Sequence, residues 1–192
     1  MTAWRLPEGG LPVPTPPLTH GGILLRHWSA GDAASLSAAW NDPEIARRLP
    51  VPDDPTEERA AAWIAGEAER RRLGLAVDLA VVDVDDRVFG EVGLSSFDPD
   101  RSVALVGWWT APGQRGRGVA SAAVRLVTDW ALGELGLGAL VAEVDRDNAA
   151  SLRVADRAGY RPLADRPEGR VALVATSADR RGAAGRAPTG GC

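Results

Sequence analysis

Between Leu75 and Thr110 three apolar runs follow one another with almost nothing between them. Leu75 to Val84 is turned by Asp85-Asp86, Val88 to Ser96 is turned by "DPDR", and Val103 to Thr110 closes the set. Runs of this length, rich in β-branched residues and bounded by turn residues, predict strands, and turns this short predict an antiparallel meander. Next comes "APGQRGRG", and then Val119, Ala122, Ala123, Leu126, Val127 and Trp130 recur at helical spacing. A chain that must carry a meander into a glycine-rich turn and an amphipathic helix has few folds open to it.

The remaining segments supply helices and strands on either side. Ile23 to His27 predicts a short strand, and Asp32 is placed to cap a helix running to about Trp40. In "DDPTEE", Asp54 as cap, Pro55 at the first helical position and Glu57 three residues after the cap predict another helix, carrying Ala60, Trp63, Ile64 and Glu67. Leu140 to Asp145 predicts a strand, Ser151 to Ala158 a helix, and Tyr160 to Leu163 and Arg170 to Ala175 two closing strands. The order β-α-α-β-β-β-α-β-α-β-β is that of an α+β, or mixed α/β, domain. Residues 1–20, with "LPEGGLPVPTPPLTH", read as a Pro/Gly-rich N-terminal arm. Residues 21–176 form the single domain, and 177–192, Gly/Ala/Arg-rich, read as a flexible C-terminal tail.

Composition narrows the chemistry. All 22 basic residues are arginine, which excludes a Schiff-base lysine and a lysine on nucleotide phosphate. The single cysteine is Cys192, so neither a disulfide framework nor a thiol nucleophile is expected. His20 and His27 have no cysteine companions, and no metal site is expected. A net charge of −4 argues against nucleic acid and suits a cationic partner. No apolar run reaches membrane-spanning length and Met1 to Arg5 does not open a signal peptide, so a soluble cytoplasmic protein is expected.

The turn itself is dense in glycine and arginine. At the start of a helix the backbone N–H groups are unpaired and carry the positive end of the dipole. Gly116 and Gly118 would let a phosphate come close to them, Arg115 and Arg117 would add charge, and Ser121 a hydroxyl. A solvated loop with a helix start is the plain alternative. A dinucleotide fingerprint fits poorly: "GRGVAS" lacks the third glycine, "APGQR" separates strand from turn, and the upstream strands are antiparallel.

Arg115-Gly116-Arg117-Gly118-Val119-Ala120 resembles the acyl-CoA loop, Q/R-x-x-G-x-G/A, of the GCN5-related N-acetyltransferase (GNAT) superfamily. "LRHWSAGDAASLSAAWNDPEIARRL" and "NAASLRVADRAGY" resemble the opening and the Asn-x-x-Ser segment of its RimJ/RimL-like branch, so that the likeness runs from Ile23 to Val174. The resemblance implies a GNAT fold: a central, mostly antiparallel sheet, splayed between the two parallel strands that flank the loop, with helices on both faces. It implies an acetyl-CoA-dependent enzyme that transfers acetyl directly to an amine acceptor, either a protein N-terminus or a small molecule. It also implies bacterial relatives, with which an arginine-only, alanine-rich composition agrees, and it allows a homodimer.

Carried over residue by residue, the resemblance assigns backbone contacts with pantetheine to Trp108, Trp109 and Thr110, while the two indoles themselves read as core, one on each face. Asn148 would bond the pantetheine arm or cap a helix. Ser151 would stand near the departing thiolate, and Arg153 and Arg157 would reach the nucleotide phosphates or remain solvated. Glu91 and Glu143 are the two candidates for the base. Many relatives carry a tyrosine acid in the helix where this chain has Val154 and Ala155, and its only tyrosine, Tyr160, falls at a position that is usually core. Ser151 or water is then left as the acid. A non-catalytic acyl-CoA-binding module on the same fold is the alternative reading.

Overall fold

The computed structural model describes residues 4–184. Among them a single sheet carries eight strands: β1 (Leu18–His20), β2 (Ile23–His27), β3 (Ala76–Asp83), β4 (Val88–Asp98), β5 (Val103–Thr110), β6 (Ala139–Asp145), β7 (Arg161–Arg166) and β8 (Arg170–Thr176). They lie in the order β1-β2-β3-β4-β5-β6-β8-β7. Every neighbouring pair is antiparallel except β5 and β6. The meander is present as expected, and the chain has a mixed α/β architecture on one open, mostly antiparallel sheet.

One face of the sheet is covered by α5 (Val119–Gly133) and α6 (Ala149–Arg157). Val92, Leu94, Val106 and Leu140 project to this side and pack with Val124, Val127 and Trp130 of α5 in the larger core. The other face is covered over β2–β5 by α1 (Ala33–Trp40), α2 (Pro43–Arg48), α3 (Glu57–Ala65) and α4 (Glu67–Arg72). There Ala80, Val82 and Trp109 pack with Leu36, Trp40, Ile45 and Ile64. Strand alternation thus sends Trp108 to the first core and Trp109 to the second, one on each face as the sequence implied.

Several local readings differ. Asp32 holds the N-cap position of α1, as expected, but its side chain makes no capping bond there. Its carboxylate accepts from the Ser29 amide (2.7 Å) and hydroxyl (3.0 Å) around a short 3-10 turn, and takes Arg26 through two bonds of 2.7 and 3.0 Å. Asp54 is not the cap of α3. Thr56 is, accepting from the Arg59 amide at 3.3 Å, because Pro55 sits outside the helix rather than at its first position. The helix α2 was not foreseen: six residues are too few for a periodic stripe. Yet Asp42 capping the Ile45 amide (3.1 Å), followed by Pro43, is the same kind of start signal that was read in "DDPTEE".

The N-terminal arm is extended, but it is not detached. Trp4 and Leu11 are buried in the larger core, the Trp4 indole N–H donates to the Leu135 carbonyl at 2.8 Å, and its ring stacks on Phe97 at 5.6 Å. Leu11 N–H donates to the Arg71 carbonyl at 2.9 Å, and residues 18–20 add an edge strand. Proline-rich sequence sets the extended path, while two large apolar side chains anchor it. At the other end Ser177–Ala184 form the helix α7, where fraying was expected, with Thr176 and Asp179 bonded side chain to side chain at 2.7 Å. The remainder of the expected tail, residues 185–192, lies outside the described residues.

Since Trp4 closes the core, Trp4→Ala should cost about 3 kcal/mol or more, as large-to-small core changes do. Urea denaturation measures this, and a loss under 1 kcal/mol would mean that the arm is dispensable to the fold.

Candidate active site

The parallel ladder of β5 and β6 holds only at its start. Val103, Ala104 and Leu105 pair with Ala139, Leu140 and Val141, and beyond that rung the strands diverge. Val106–Thr110 and Ala142–Asp145 form the two sides of a wedge that opens toward the strands' C-terminal ends. A cleft of about 310 Å³ occupies it. Its lining includes Val106–Thr110 on one side, Glu143–Asp145 on the other, the 114–121 turn above, and Asn148, Ser151 and Arg153 at the start of α6. Because strand residues alternate, this lining includes residues of both faces of the sheet, and Glu91 is not among them.

The turn is shaped by its glycines. Gly116 has φ of +76° and Gly118, the N-cap of α5, φ of +83°, in the left-handed region that L side chains avoid. A Cβ built on either would meet nothing within 4 Å, so their bare backbone also leaves open space in front of the helix. The first intrahelical bond is Ala122 N–H to Gly118 C=O (3.0 Å), which leaves the amides of Val119, Ala120 and Ser121 without helical partners. Gly118, Val119, Ala120 and Ser121 all line the cleft.

The arginines are used differently from the expectation. Arg115 lines the cleft, but its guanidinium is committed to Asp42 (2.5 Å) and to the Thr110 carbonyl (3.1 Å). Arg117 donates to the Gln114 side chain (2.9 Å) and stands outside the lining. Arg153 and Arg157 do border the cleft. The Asn148 side-chain carbonyl accepts from the Ser151 amide at 3.0 Å, so the cap and the place beside the cleft coexist in one residue. Ser151 stands half-buried in the first turn of α6. Tyr160 is buried away from the cleft with its hydroxyl 2.8 Å from Thr128 Oγ1, and burial pushes its pKa upward against the opposing effect of that bond.

Sequence reasoning missed what holds the wedge open. The helix α2 spans its mouth, with Asp42 tied to Arg115 on the β5 side. At its other end Arg48 bonds Asp145 (2.7 Å) and Asp147 (2.9 Å) on the β6 side. Glu44 steadies Arg48 from within the helix at 2.6 Å. The only sequence signal was the capped start of α2.

The two candidate bases occupy contrasting surroundings. Glu143 borders the cleft, but its Oε1 faces Arg166 (3.1 Å) and its Oε2 faces Arg170 (3.3 Å). Glu91 sits on β4, paired across the ladder with Trp109, and half-buried on the face of the smaller core. Burial chiefly, and then the charge of Asp78, push its pKa up to about 8, although the Trp28 and Trp109 indole groups and Arg70 favour the anion. Trp28 and Trp109 stack at 6.2 Å, and the buried Trp28 Nε1 has no hydrogen-bond partner within ordinary limits. Among the described residues no group of three or more His, Cys, Asp or Glu is arranged to hold a metal ion, and no helix is long and apolar enough to cross a membrane.

The chain belongs to the GNAT acetyltransferases: residues 23–161 match the family model described as an acetyltransferase (GNAT) domain. Relatives bear N-acetyltransferase names. One, "uncharacterized N-acetyltransferase p20" of Bacillus licheniformis, is 25% identical over 69% of this chain and 75% of its own. An acetyltransferase of the GNAT family from Bacillus anthracis shares the fold with a TM-score of 0.71 at 17% identity, over 84% of this chain and 98% of the other. RimJ of Mycobacterium smegmatis, solved in complex with CoA-disulfide, superposes with a TM-score of 0.71 at 20% identity, over 85% and 90% of the two chains.

Two outcomes follow from this geometry. Arg48→Ala should raise hydrogen exchange in α2 at least tenfold while lowering global stability by only about 1 kcal/mol, because its carboxylate partners are largely solvated. Unchanged exchange would show that α2 is held without this ion pair. Glu91 has a raised native pKa, so between about 4.5 and 8 the native state keeps a proton that the unfolded state has lost, and stability falls as pH rises through that window. Glu91→Gln should therefore raise Tm by about 2–5 °C at pH 8 and by less at pH 4.5, read by calorimetry.

Proposed function

We propose that this protein is an acetyl-CoA-dependent N-acetyltransferase acting by direct transfer to a primary amine. One observation carries the reading: the β5–β6 ladder ends after Leu105 and Val141, and the cleft this opens is lined by the amide-bearing start of α5 and by residues of both faces of β5, among them Trp109, the ladder partner of Glu91. The glycine cradle fits the co-substrate, since Gly116 and Gly118 combine left-handed backbone with open space in front of the amides of Val119–Ser121. Those amides would hold its pyrophosphate, with Arg153 and Arg157 as the nearby cations. The unpaired edge of β5 at Trp108–Thr110 and the Asn148 side chain would hold the pantetheine arm.

When bound, acetyl-CoA supplies an acetyl thioester, whose carbonyl carbon bonds to the amine nitrogen as its sulfur leaves with the bonding pair. The residues of this chain manage the protons. Glu91 is the base in this reading: a carboxyl group with a pKa near 8 takes a proton from an ammonium group more readily than an ordinary carboxylate does, through intervening water. Glu143 is less suited, because both its oxygens face arginines. The Ser151 hydroxyl, at the cleft, would return a proton to the thiolate, and backbone N–H groups of the β5 edge would meet the charge that develops on the carbonyl oxygen. No covalent enzyme intermediate enters. The acceptor is a protein N-terminus or a small-molecule amine.

Calorimetric titration with acetyl-CoA should show micromolar binding that Gly118→Trp abolishes; absence of binding by the unaltered protein at millimolar ligand would sink the reading. Thiol release with an amine acceptor should rise with pH toward a plateau above about 8, as Glu91 loses its proton. Glu91→Gln should lower kcat/KM roughly a hundredfold and remove the contribution of this group to the rise. Binding of acetyl-CoA with no thiol release from any primary amine would instead mark an acyl-CoA-binding module.

A further inference from the structure

On the face of the sheet away from α5, Gly93 and Gly107 stand directly opposite each other in the β4–β5 ladder. One rung along on the same face stand Glu91 and Trp109, also paired. The two glycines thus make a bare strip of backbone leading from the sheet surface to the candidate base. They are bare for different reasons. A Cβ on Gly93 would lie 3.0 Å from Asp78 Oδ1 and 3.2 Å from the Val77 carbonyl, so a side chain there would press on its neighbours in β3.

Gly107 is the unexplained one. Its φ is not in the left-handed region, it is exposed, and a Cβ on it would meet nothing within 4 Å. Neither backbone geometry nor packing asks for glycine, which weakens a strand wherever it sits in one. What remains is close approach by something outside the chain, and Gly107 lines the cleft. The walls beside the strip are charged. Asp78 keeps Arg70 on its Oδ2 (3.1 Å) while its Oδ1 faces Gly93, and the Arg70 guanidinium rests 4.0 Å from the Trp63 ring centroid. Ser95, exposed, and Leu105, half-buried, lie next along the strands and leave the strip open to solvent.

We propose that Gly107 is a specificity-determining residue: the Gly93–Gly107 strip seats the stem of the acceptor, whose ammonium end points to Glu91, and a side chain at 107 would occupy that seat. The proposal rests on the acetyltransferase reading and narrows its acceptor to a primary ammonium carried on a slender stem. Asp78 Oδ1, which faces Gly93, and Glu91 once it has given up its proton favour the cation, and the absent side chain sets the width. A linear alkylamine and the N-terminus of a small-residue peptide share this chemistry.

Gly107→Val tests it, since a β-branched residue suits a strand and has room here. Unaltered protein and variant are compared with n-hexylamine and with tri-alanine as acceptors, beside calorimetric titration with acetyl-CoA and a thermal melt. The expected variant is at least as heat-stable, binds acetyl-CoA within twofold, and shows a KM for the accepted amine raised at least tenfold with kcat changed far less. Gly107→Ala should fall between. The amine that the unaltered protein prefers tells the alkylamine source from the peptide source. Gly107→Val with KM within twofold overturns the proposal. Acetyl-CoA binding with neither amine acetylated overturns it too while leaving the functional reading standing, whereas no acetyl-CoA binding removes both.

Discussion

The structure turns on one ladder that stops. β5 and β6 are the sole parallel neighbours among the described strands, and they separate after Leu105 and Val141. Backbone N–H and C=O groups beyond that rung lack the partner that a continuous sheet would provide, and buried ones are costly unless something satisfies them. A ligand that lies along a strand can do so, which is why the gap is a binding feature rather than a flaw. The gap also has to be held at a width. The short helix α2 does this by fastening to the glycine turn through Asp42 and Arg115 and to the end of β6 through Arg48, Asp145 and Asp147. Arg115 is therefore committed to the frame, and the turn is left with the unpartnered backbone amides at the start of α5.

The sheet separates two electrostatic settings. On one side are free helix amides, the positive end of the α5 dipole and the guanidinium groups of Arg153 and Arg157, a setting for anions. On the other are Asp78, paired with Arg70, and Glu91, which keeps its proton to about pH 8, among tryptophans. A reaction that joins an acyl donor carrying phosphates to a cationic amine needs opposed surroundings of this kind, brought within reach through one opening. Glu91 and Glu143 show how placement changes an identical side chain. Two arginines hold Glu143, whereas burial and a neighbouring carboxyl group make Glu91 keep its proton to a higher pH.

Local patterns carried much of this in the sequence. The meander was legible because each strand is bounded by its own turn residues, and the turn with α5 because glycines and an apolar stripe meet at one point. Asn148 and Tyr160 held the places their local context suggested. The misread parts depended on partners remote in the chain. Nothing near Trp4 announces that its indole will bond Leu135, 131 residues away, so a proline-rich stretch looked like a free arm. The helix α2 is too short to show a period, and its role exists only because Arg48 finds carboxylates about a hundred positions further on.

What the sequence determined by itself was the set of elements with strong local codes, the glycine-rich turn that opens α5, and, through the absence of lysine and of an internal cysteine, the kinds of chemistry left available. Tertiary structure alone decided which arginine is free and which is bound, that burial raises the pKa of Glu91, and that Gly107 faces open space while Gly93 faces Asp78. The physical reason is that hydrogen-bonding periodicity and turn preference act over a few residues. Burial, ion pairing and free volume are instead set by whatever the folded chain brings alongside.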